Sequence, residues 1–319
     1  MRINCKNLSL EHDESHDELL IKSISDTLSC SDIIGEVACG WTTGISLSHL
    51  FSECVNLCEV DISHFDTGDV TNMRNMFSGC KKLNKLNLSN FDTSKVRNMW
   101  QMFNGCSRLK ELDLSSFDTG SVRSMWGMFD GCEDLEHLDI SSFDTRSVRS
   151  MGNIFQNCLK LTELDLSHFD TSSVSTMIGM FCVCGAAEYN LSSFDTRGVG
   201  NMTKMFMGCK AEKLDLSSFD TRSVFDMSSM FQLCVRLKRL DLSNFNTIHV
   251  NNMKLMFSMC YFLEELDISS FVISDEANTT DMFSDCPRLK RIKAPTDGSS
   301  RTIILRQLVN DGIHCELIE

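Results

Sequence analysis

Cysteines are the first residues of this chain that could do chemistry, because 16 of its 319 residues are cysteine. Thiols form disulfides and thiolates bind zinc, so a cysteine-rich chain can be a disulfide scaffold or a metal protein. Ten of the cysteines recur at steps of 25 or 26 residues: Cys54, Cys80, Cys106, Cys132, Cys158, Cys184, Cys209, Cys234, Cys260 and Cys286. The sequence contains no C-x-x-C pair of the kind that indicates zinc. This regular spacing indicates a structural repeat and not a single reaction centre.

A second set of residues could bind a cation or a basic partner. An acidic or amide residue stands at the centre of each L-D-L segment, and the set is Asp61, Asn87, Asp113, Asp139, Asp165, Asn190, Asp215, Asp241 and Asp267. Neighbouring carboxylates in a stack of repeats repel each other unless water, cations or hydrogen bonds offset the repulsion. Three interpretations stay open: an acidic face for a basic protein, a Ca²⁺ site, or a solubility and hydrogen-bonding role shared with the neighbouring serines.

Tryptophans and arginines break the regularity of the repeat. Trp100 and Trp126 occupy one position in consecutive copies, and Arg97, Arg123 and Arg149 stand three residues before that position in their copies. Tryptophan and arginine are enriched among the residues that dominate the energy of protein interfaces, so a partner-binding flank is one interpretation. The other is that the rings pack on arginine stems, with ordinary burial and about 0.5–1 kcal/mol of cation–π energy.

Catalysis, nucleic-acid binding and membrane insertion are all disfavoured. The eight histidines are scattered, with no nucleophile–base pair and no phosphate-binding loop, and His12 and His16 share a metal-compatible spacing without a third ligand. A net charge of −14 disfavours a nucleic-acid partner. No apolar run approaches the ~18 residues of a membrane helix. We therefore expect no catalytic residue, no metal and no cofactor, and we expect a protein as the partner.

The elements that position these residues follow from a repeat of 26 residues, C-x-x-L-x-x-L-D-L-S-x-F-D-T-x-x-V-x-x-M-x-x-M-F-x-x-C. The nine copies carry the phenylalanine of F-D-T at Phe65, Phe91, Phe117, Phe143, Phe169, Phe194, Phe219, Phe245 and Phe271. Leu112, Asp113 and Leu114 alternate as in a strand with one buried face. The apolar residues that follow F-D-T have helical spacing, for example Val96, Met99, Met102, Phe103 and Cys106. The Asp-Thr pair is typical of a helix N-cap, so each copy is predicted to be strand, turn, short helix, turn.

One copy cannot bury both its leucines and its methionines, so the copies should stack into a solenoid. Parallel strands lie about 4.8 Å apart whereas helices pack about 8–10 Å apart. The predicted fold is therefore an α/β solenoid, a curved stack of strand–turn–helix coils with a parallel sheet on its concave face. Cysteines on neighbouring helices would lie beyond the ~7 Å Cα separation that a disulfide allows. We therefore predict buried free thiols that act as small apolar side chains.

The L-x-x-L-x-L-x-x-F segment resembles the leucine-rich-repeat pattern, with phenylalanine in place of asparagine. The unit F-D-T-x-x-V-x-x-M-x-x-M-F-x-x-C is similar to the BspA-like bacterial surface-protein repeat, also called the DUF285 family, over about residues 45–294. The resemblance implies a leucine-rich-repeat solenoid. It also implies a protein that is surface-located or secreted and that acts in adhesion or partner binding.

The sequence predicts three segments. Residues 1–44 form an N-terminal cap with helical spacing over 13–28, residues 45–294 form the solenoid with nine full repeats and partial end coils, and residues 295–319 form a C-terminal cap with a short helix over 302–310. No basic, apolar leader is visible, which together with the many thiols favours a cytoplasmic location. The family resemblance favours the cell surface instead.

The leading interpretation is non-enzymatic recognition of another protein over an acidic concave face and a Trp/Arg flank. The predicted partner-binding residues are Trp100, Trp126, Arg97, Arg123, Arg149, Asp113, Asp139, Asp165, Asp215 and Asp241. The alternative is a surface adhesin or structural repeat protein that contacts host or matrix components.

Overall fold

A computed structural model of the chain describes residues 2–5, 8–13, 18–24, 46–62 and 65–318. The chain is a parallel-sheet β-solenoid of about 10 coils. It divides into two compact units: the first comprises Met1–Val148 with Asn157–Leu161, and the second comprises Arg149–Gln156 with Thr162–Glu319.

The amino-terminal part of the first unit contains a three-stranded antiparallel sheet in the order β1-β2-β3. These strands are Arg2–Cys5, Leu8–Asp13 and Glu18–Ile24. The helix predicted over residues 13–28 is wrong where the structure describes it, because β3 occupies its centre; residues 14–17 and 25–28 lie outside the described part. The apolar run pairs across strands, with Leu10 opposite Ile21, and a short apolar run does not by itself distinguish strand from helix.

Most repeats contribute one short parallel strand. In the first unit these are β4 (Glu59–Asp61), β5 (Lys85–Asn87), β6 (Glu111–Asp113) and β7 (His137–Asp139). In the second they are β8 (Arg239–Asp241), β9 (Glu265–Asp267) and β10 (Arg291–Lys293), with β11 (Glu316–Ile318) added at the carboxyl-terminal end. In β6 Leu112 is buried and Asp113 is exposed, as predicted.

The residues predicted to be helices in the repeats form tight turns instead. Among residues 46–62 and 65–297 no helix is present. Two backbone positions in each turn segment lie in the left-handed region, such as Gln101 with φ 53° and Gly105 with φ 70°. An α-helix requires negative φ at every residue, so a left-handed residue every fourth position ends it. The i, i+3 apolar spacing reflects these turns, in which Met102 N–H donates to Met99 O at 3.2 Å.

Hydrogen bonds between consecutive coils also run through these turn segments. The N–H groups of Gln101 and Phe103 donate to the carbonyls of Trp126 and Met128 in the next coil, at 2.8 and 2.9 Å. Isolated parallel bridges such as Asn98↔Ser124 follow the same pattern. The turn side is therefore spaced like a parallel sheet, about 4.8 Å per coil. The prediction of a concave strand side rested on the wide spacing of packed helices, and the described repeats contain no helices.

In the core, side chains at the same repeat position of consecutive coils are of the same type and lie next to one another. Within the first unit the rings of consecutive coils stack with centroids 5.3–5.9 Å apart and planes 2° apart: Phe51, Phe77, Phe103 and Phe129. In the second unit Phe206, Phe231 and Phe257 stack in the same way. Met99, Met102 and their equivalents have no exposed surface. Their burial confirms that the methionines are core residues.

The thiols of the repeat are free, and those from Cys80 to Cys286 are buried, as predicted. The predicted reason for free thiols, a Cα separation too large for a disulfide, does not hold, because consecutive coils lie much closer together than packed helices. Most of these thiols instead donate to a phenylalanine carbonyl of the preceding coil; Cys106 Sγ lies 3.2 Å from Phe77 O and Cys132 Sγ lies 3.2 Å from Phe103 O. Burial raises the pKa of the Cys106 thiol to about 12, so this thiol stays protonated at neutral pH.

The threonine of F-D-T bridges consecutive coils with its hydroxyl. Thr196 Oγ1 donates to Asp220 O at 2.9 Å and accepts the Asp220 N–H at 2.8 Å. Thr119 makes the same two bonds to Asp144. Both threonines have no exposed surface. A β-branched side chain of this size therefore satisfies two backbone groups where the chain turns.

One α-helix is described, α1 (Gly298–Asn310), which confirms the helix predicted over residues 302–310 and starts one turn earlier. Asp297 caps its amino terminus by accepting the Ser300 N–H. Gly312, with φ 69°, reverses the chain after the helix. β11 then pairs in parallel with β10, and α1 and β11 end the stack of the second unit.

The threonine bridge can be tested with Thr196→Val. Valine keeps the volume but leaves the Asp220 N–H and carbonyl without their partner, so the free energy of unfolding should fall by about 1–3 kcal/mol. The measurement is urea denaturation followed by circular dichroism. Thr162→Val, at an exposed position of the same unit, is the matched control and should change stability little; an equal effect of both variants would contradict the bridging role.

Candidate functional site

The acidic residues of the first unit meet on the exposed face of β6 and β7. In the parallel register Asp113 lies opposite Asp139, and Glu111 lies opposite His137. All four side chains are exposed, whereas Leu112 between them is buried. No basic side chain among the described residues forms an ion pair with Asp113 or Asp139. Two carboxylates about 5 Å apart repel each other.

The same aspartates have a structural role at the end of each strand. Each accepts the backbone N–H of the serine two residues later, which closes an Asx turn. Asp113, Asp139, Asp165, Asp215, Asp241 and Asp267 all make this contact, at 2.9–3.0 Å. Asn87 and Asn190 make it with an amide oxygen. The turn therefore requires an oxygen at this position and not a charge.

These hydrogen bonds lower the pKa of the carboxyl groups of Asp113, Asp165, Asp215 and Asp241. For Asp113 and Asp215 the serine hydroxyl two residues later is the largest cause of the lowered pKa, and the serine N–H is the second. For Asp165 and Asp241 the serine N–H contributes most. The carboxylates are thus ionised at neutral pH because the hydrogen bonds favour the charged form.

The strand face of the second unit is not uniformly acidic. Arg239 and Arg291 both pair with Glu265, the former at 3.2 Å, and Lys293 pairs with Asp267 at 3.5 Å. These side chains border a shallow groove of about 370 Å³ over β8, β9 and β10. The predicted acidic face therefore contains cross-strand ion pairs at this end. The consensus pattern did not reveal them because it leaves the position of Arg239 and Arg291 unspecified, and because Lys293 replaces the aspartate only in the last copy.

A second set of aspartates, those of F-D-T, was predicted to cap helices, and this prediction is wrong. No helix follows them; each closes an Asx turn with the residue two positions later, as Asp118 does with the Gly120 N–H at 3.0 Å. In three copies that residue is an arginine that also pairs with the carboxylate, as Arg222 does with Asp220 at 2.5 Å. The carboxylate oxygen that would accept a backbone N–H at the start of a helix accepts the backbone N–H of a turn instead.

The Trp/Arg flank lies on the turn side of the first unit, in consecutive coils. Trp100 and Trp126 are half-buried and their coils are hydrogen-bonded to each other. The guanidinium of Arg74, which the sequence analysis did not select, lies 4.2 Å from the centroid of the Trp100 ring. Arg74 occupies the repeat position of the two tryptophans in its own copy. This shared position is the sequence feature from which its contact with Trp100 could have been predicted. The packing interpretation therefore applies to Trp100, although with Arg74 and not with Arg97.

The three predicted arginines are exposed and are not all in one unit. Arg97 and Arg123 lie in adjacent coils of the first unit, where the Arg123 N–H donates to Arg97 O at 2.9 Å. Arg149 belongs to the second unit, where its carbonyl accepts the Ser175 N–H at 3.0 Å.

Two further observations concern other kinds of site. Among the described residues, no three histidine, cysteine, aspartate or glutamate side chains cluster in a way that could hold a metal ion. His12 lies on β2, and His16 lies outside the described part of the chain. No described helix is long and apolar enough to cross a membrane.

The two roles of the strand aspartates can be separated with Asp113→Asn and Asp113→Ala. At pH 7 asparagine should preserve the turn, as Asn87 and Asn190 do, and leave stability nearly unchanged. Alanine removes the hydrogen-bond acceptor and should lower the free energy of unfolding by about 0.5–1 kcal/mol. This is the lower part of the usual contribution of one hydrogen bond, because the site is exposed. Urea denaturation measures both; equal stability of the two variants would contradict the Asx-turn role.

The same variants carry a pH prediction. Because the folded pKa of Asp113 is lowered, its contribution is present above the unfolded pKa of about 3.9 and is lost as pH falls through the folded pKa. The stability of the wild type relative to Asp113→Asn should therefore be lower at pH 3 than at pH 7. A difference that does not change with pH would contradict the assignment.

The chain is similar to a known protein family and to several solved structures. A family model described as "Mycoplasma protein of unknown function, DUF285" matches residues 45–138, 105–213 and 180–294. The chain is similar to a leucine-rich-repeat protein of T. pallidum, with 17% identity, 66% of this chain and 89% of that chain covered, and a TM-score of 0.38. It is also similar to a leucine-rich cell surface protein of Faecalibacterium prausnitzii, with 16% identity, 94% and 96% covered, and a TM-score of 0.37.

A leucine-rich-repeat protein of Bacteroides ovatus matches with 14% identity, 99% and 100% covered, and a TM-score of 0.32. No curated protein matches the chain. The three matched segments of the family model together cover residues 45–294, well over half of the sequence, and so the chain belongs to the DUF285 family.

Proposed function

We propose that this protein is a non-enzymatic recognition module, which binds a basic segment of another protein on the exposed strand face of β6 and β7. The observation that carries the proposal is the pairing in register of Asp113 with Asp139, both exposed and without an ion-pair partner among the described residues. A bound cationic segment would relieve the repulsion between the two carboxylates. Extended repeat surfaces are suited to such contacts.

Two features of the chain support this location over the other strand face. The face of β8, β9 and β10 already contains Arg239, Arg291 and Lys293 in ion pairs with acidic neighbours, so a basic partner would have to displace them. On β6 and β7 the neighbouring exposed residues are Glu111 and His137, which add one more acidic group. The proposal needs exposed strand residues and does not depend on a concave strand side.

The Trp/Arg flank is proposed as a second contact surface of the first unit. Arg97 and Arg123 are exposed and Trp126 is half-buried. Tryptophan and arginine contribute strongly to binding when a partner covers them. Trp100 is a weaker candidate because Arg74 already covers its ring. Arg149, in the other unit, and Asp165, Asp215 and Asp241 complete the set of residues proposed for partner contacts.

The acidic face can be tested with Asp113→Asn/Asp139→Asn, since asparagine keeps both Asx turns and removes only the charges. A lysine-rich peptide should bind the wild type with an affinity that falls as salt rises, and the double variant should bind about tenfold more weakly, equivalent to about 1.4 kcal/mol. Isothermal titration calorimetry gives both dissociation constants.

The matched control is Asp275→Asn/Glu276→Gln, which removes two charges from exposed residues of the second unit. It should bind the peptide nearly as well as the wild type. Equal weakening in both double variants would show that only the net charge matters, and it would favour the adhesive or structural interpretation, in which no particular face is recognised.

The flank can be tested with Trp126→Ala and a peptide rich in aspartate and glutamate, whose charges complement Arg97 and Arg123; the substitution should weaken its binding at least about threefold while the melting temperature changes little. Phe225→Ala is the control, because Phe225 is an exposed aromatic residue of the second unit at the repeat position of Arg97 and Arg123. A lowered melting temperature with unchanged peptide binding would show that Trp126 stabilises the fold and does not contact the peptide.

A further inference from the structure

One buried thiol of the second unit, Cys209, makes a contact that differs from the usual one of the repeat cysteines. The usual contact of a thiol is the phenylalanine carbonyl of the preceding coil, as for Cys260 with Phe231 O at 3.0 Å. Cys209 Sγ instead lies 3.6 Å from Cys234 Sγ in the next coil. Because the Cys234 thiol donates to Phe206 O at 3.1 Å, the Cys209 thiol is the donor in the sulfur–sulfur contact.

The unusual contact coincides with a shortened connection. In most copies the cysteine is followed by a buried leucine three residues later, such as Leu237 after Cys234, but Cys209 is followed two residues later by Ala211, in a copy one residue shorter. Ala211 is buried like the leucine that it replaces. A smaller side chain and a shorter connection leave the Cys209 thiol free to adopt a rotamer that points toward the next coil.

The strand side of the same coils is less regular than elsewhere. The residues equivalent to strands, 163–165, 188–190 and 213–215, form no strand in the described structure, whereas β8 begins at Arg239. Local opening is easiest where fewer backbone hydrogen bonds must break. Cys209 and Cys234 have no exposed surface, so a reagent in solution reaches them through such an opening.

We propose that Cys209 and Cys234 are a redox modification site, at which a low-molecular-weight disulfide converts the two thiols into a disulfide that joins consecutive coils. Coils spaced about 4.8 Å apart satisfy the Cα separation of 4.4–6.8 Å that a disulfide requires. The sulfurs must approach from 3.6 Å to about 2.05 Å. A rotation of the Cys209 side chain, which already points toward Cys234, supplies this movement.

The reaction is a pair of thiol–disulfide exchanges. One cysteine, as its thiolate, attacks a sulfur of oxidised glutathione, which breaks the glutathione disulfide, forms a mixed disulfide and releases one glutathione thiolate. The second cysteine then attacks the protein sulfur of the mixed disulfide and releases the second glutathione. The protein loses two electrons and two protons, and the oxidant gains them as two glutathione thiols.

The test is peptide mapping of the folded wild-type protein after incubation with oxidised glutathione, with free thiols blocked by iodoacetamide before trypsin digestion. Cys209 lies in the tryptic peptide 205–210 and Cys234 in the peptide 223–236, so their disulfide gives a distinct cross-linked mass. We expect this mass to appear, to disappear after dithiothreitol, and to be at least about tenfold more abundant than a cross-link between Cys106 and Cys132.

Cys106 and Cys132 are the internal control, because they occupy the same repeat position in adjacent coils but donate to Phe77 O and Phe103 O. Cys209→Ser should abolish the cross-link, and Cys106→Ser should leave it unchanged. The proposal is overturned if the folded wild type gives no such cross-link, if the control pair forms one as readily, or if Cys209 joins peptide 161–197, which contains Cys182 and Cys184, instead.

Discussion

Hydrogen bonds between consecutive coils, donated from the turn segments as well as from the strands, are the constraint on which the rest of the structure depends. They hold each coil about 4.8 Å from the next on both sides, so residues at one repeat position lie directly above one another. A side chain in the core then meets copies of itself, and only types that pack well against themselves can occupy such positions. Phenylalanine rings stacked within 2° of parallel are the clearest result.

The same constraint explains the polar residues that recur. A chain that turns every few residues leaves N–H and carbonyl groups that a strand ladder does not pair, and buried groups of this kind must be satisfied. Thr196 satisfies two of them with one hydroxyl, Cys106 donates its thiol to another, and Asp113 accepts a serine N–H at the end of its strand. The repeated Asp, Thr and Cys are thus explained by turn and inter-coil bonding before any function is considered.

The sequence was sufficient to predict the period, the stacking, the buried methionines and the in-out pattern of the strands, because each of these follows from apolar periodicity. It misled on the turn side, where Val96, Met99 and Met102 have helical spacing. The decisive information was the left-handed backbone at residues such as Gln101, where glutamine gives no sign of such a conformation. The charged groups of the second unit's strand face were missed for another reason: the consensus leaves the position of Arg239 and Arg291 unspecified, and Lys293 replaces the aspartate only in the last copy. Trp100 and Trp126 lie on adjacent coils, as their shared repeat position predicted, whereas the contact of Arg74 with Trp100 was not predicted.

The stacked phenylalanines have a consequence for how such a chain can change in length. Because each ring stacks on the equivalent rings of the coils before and after it, a gene duplication that inserts one whole 26-residue segment would repeat contacts that already exist. It would lengthen the stack of coils in one unit by about 4.8 Å. An insertion of half a segment would break this match at the point of insertion, because the residue 13 positions after Phe103 is the polar Ser116. The length of such a solenoid therefore changes in steps of one repeat, and related proteins should differ in length by whole repeats.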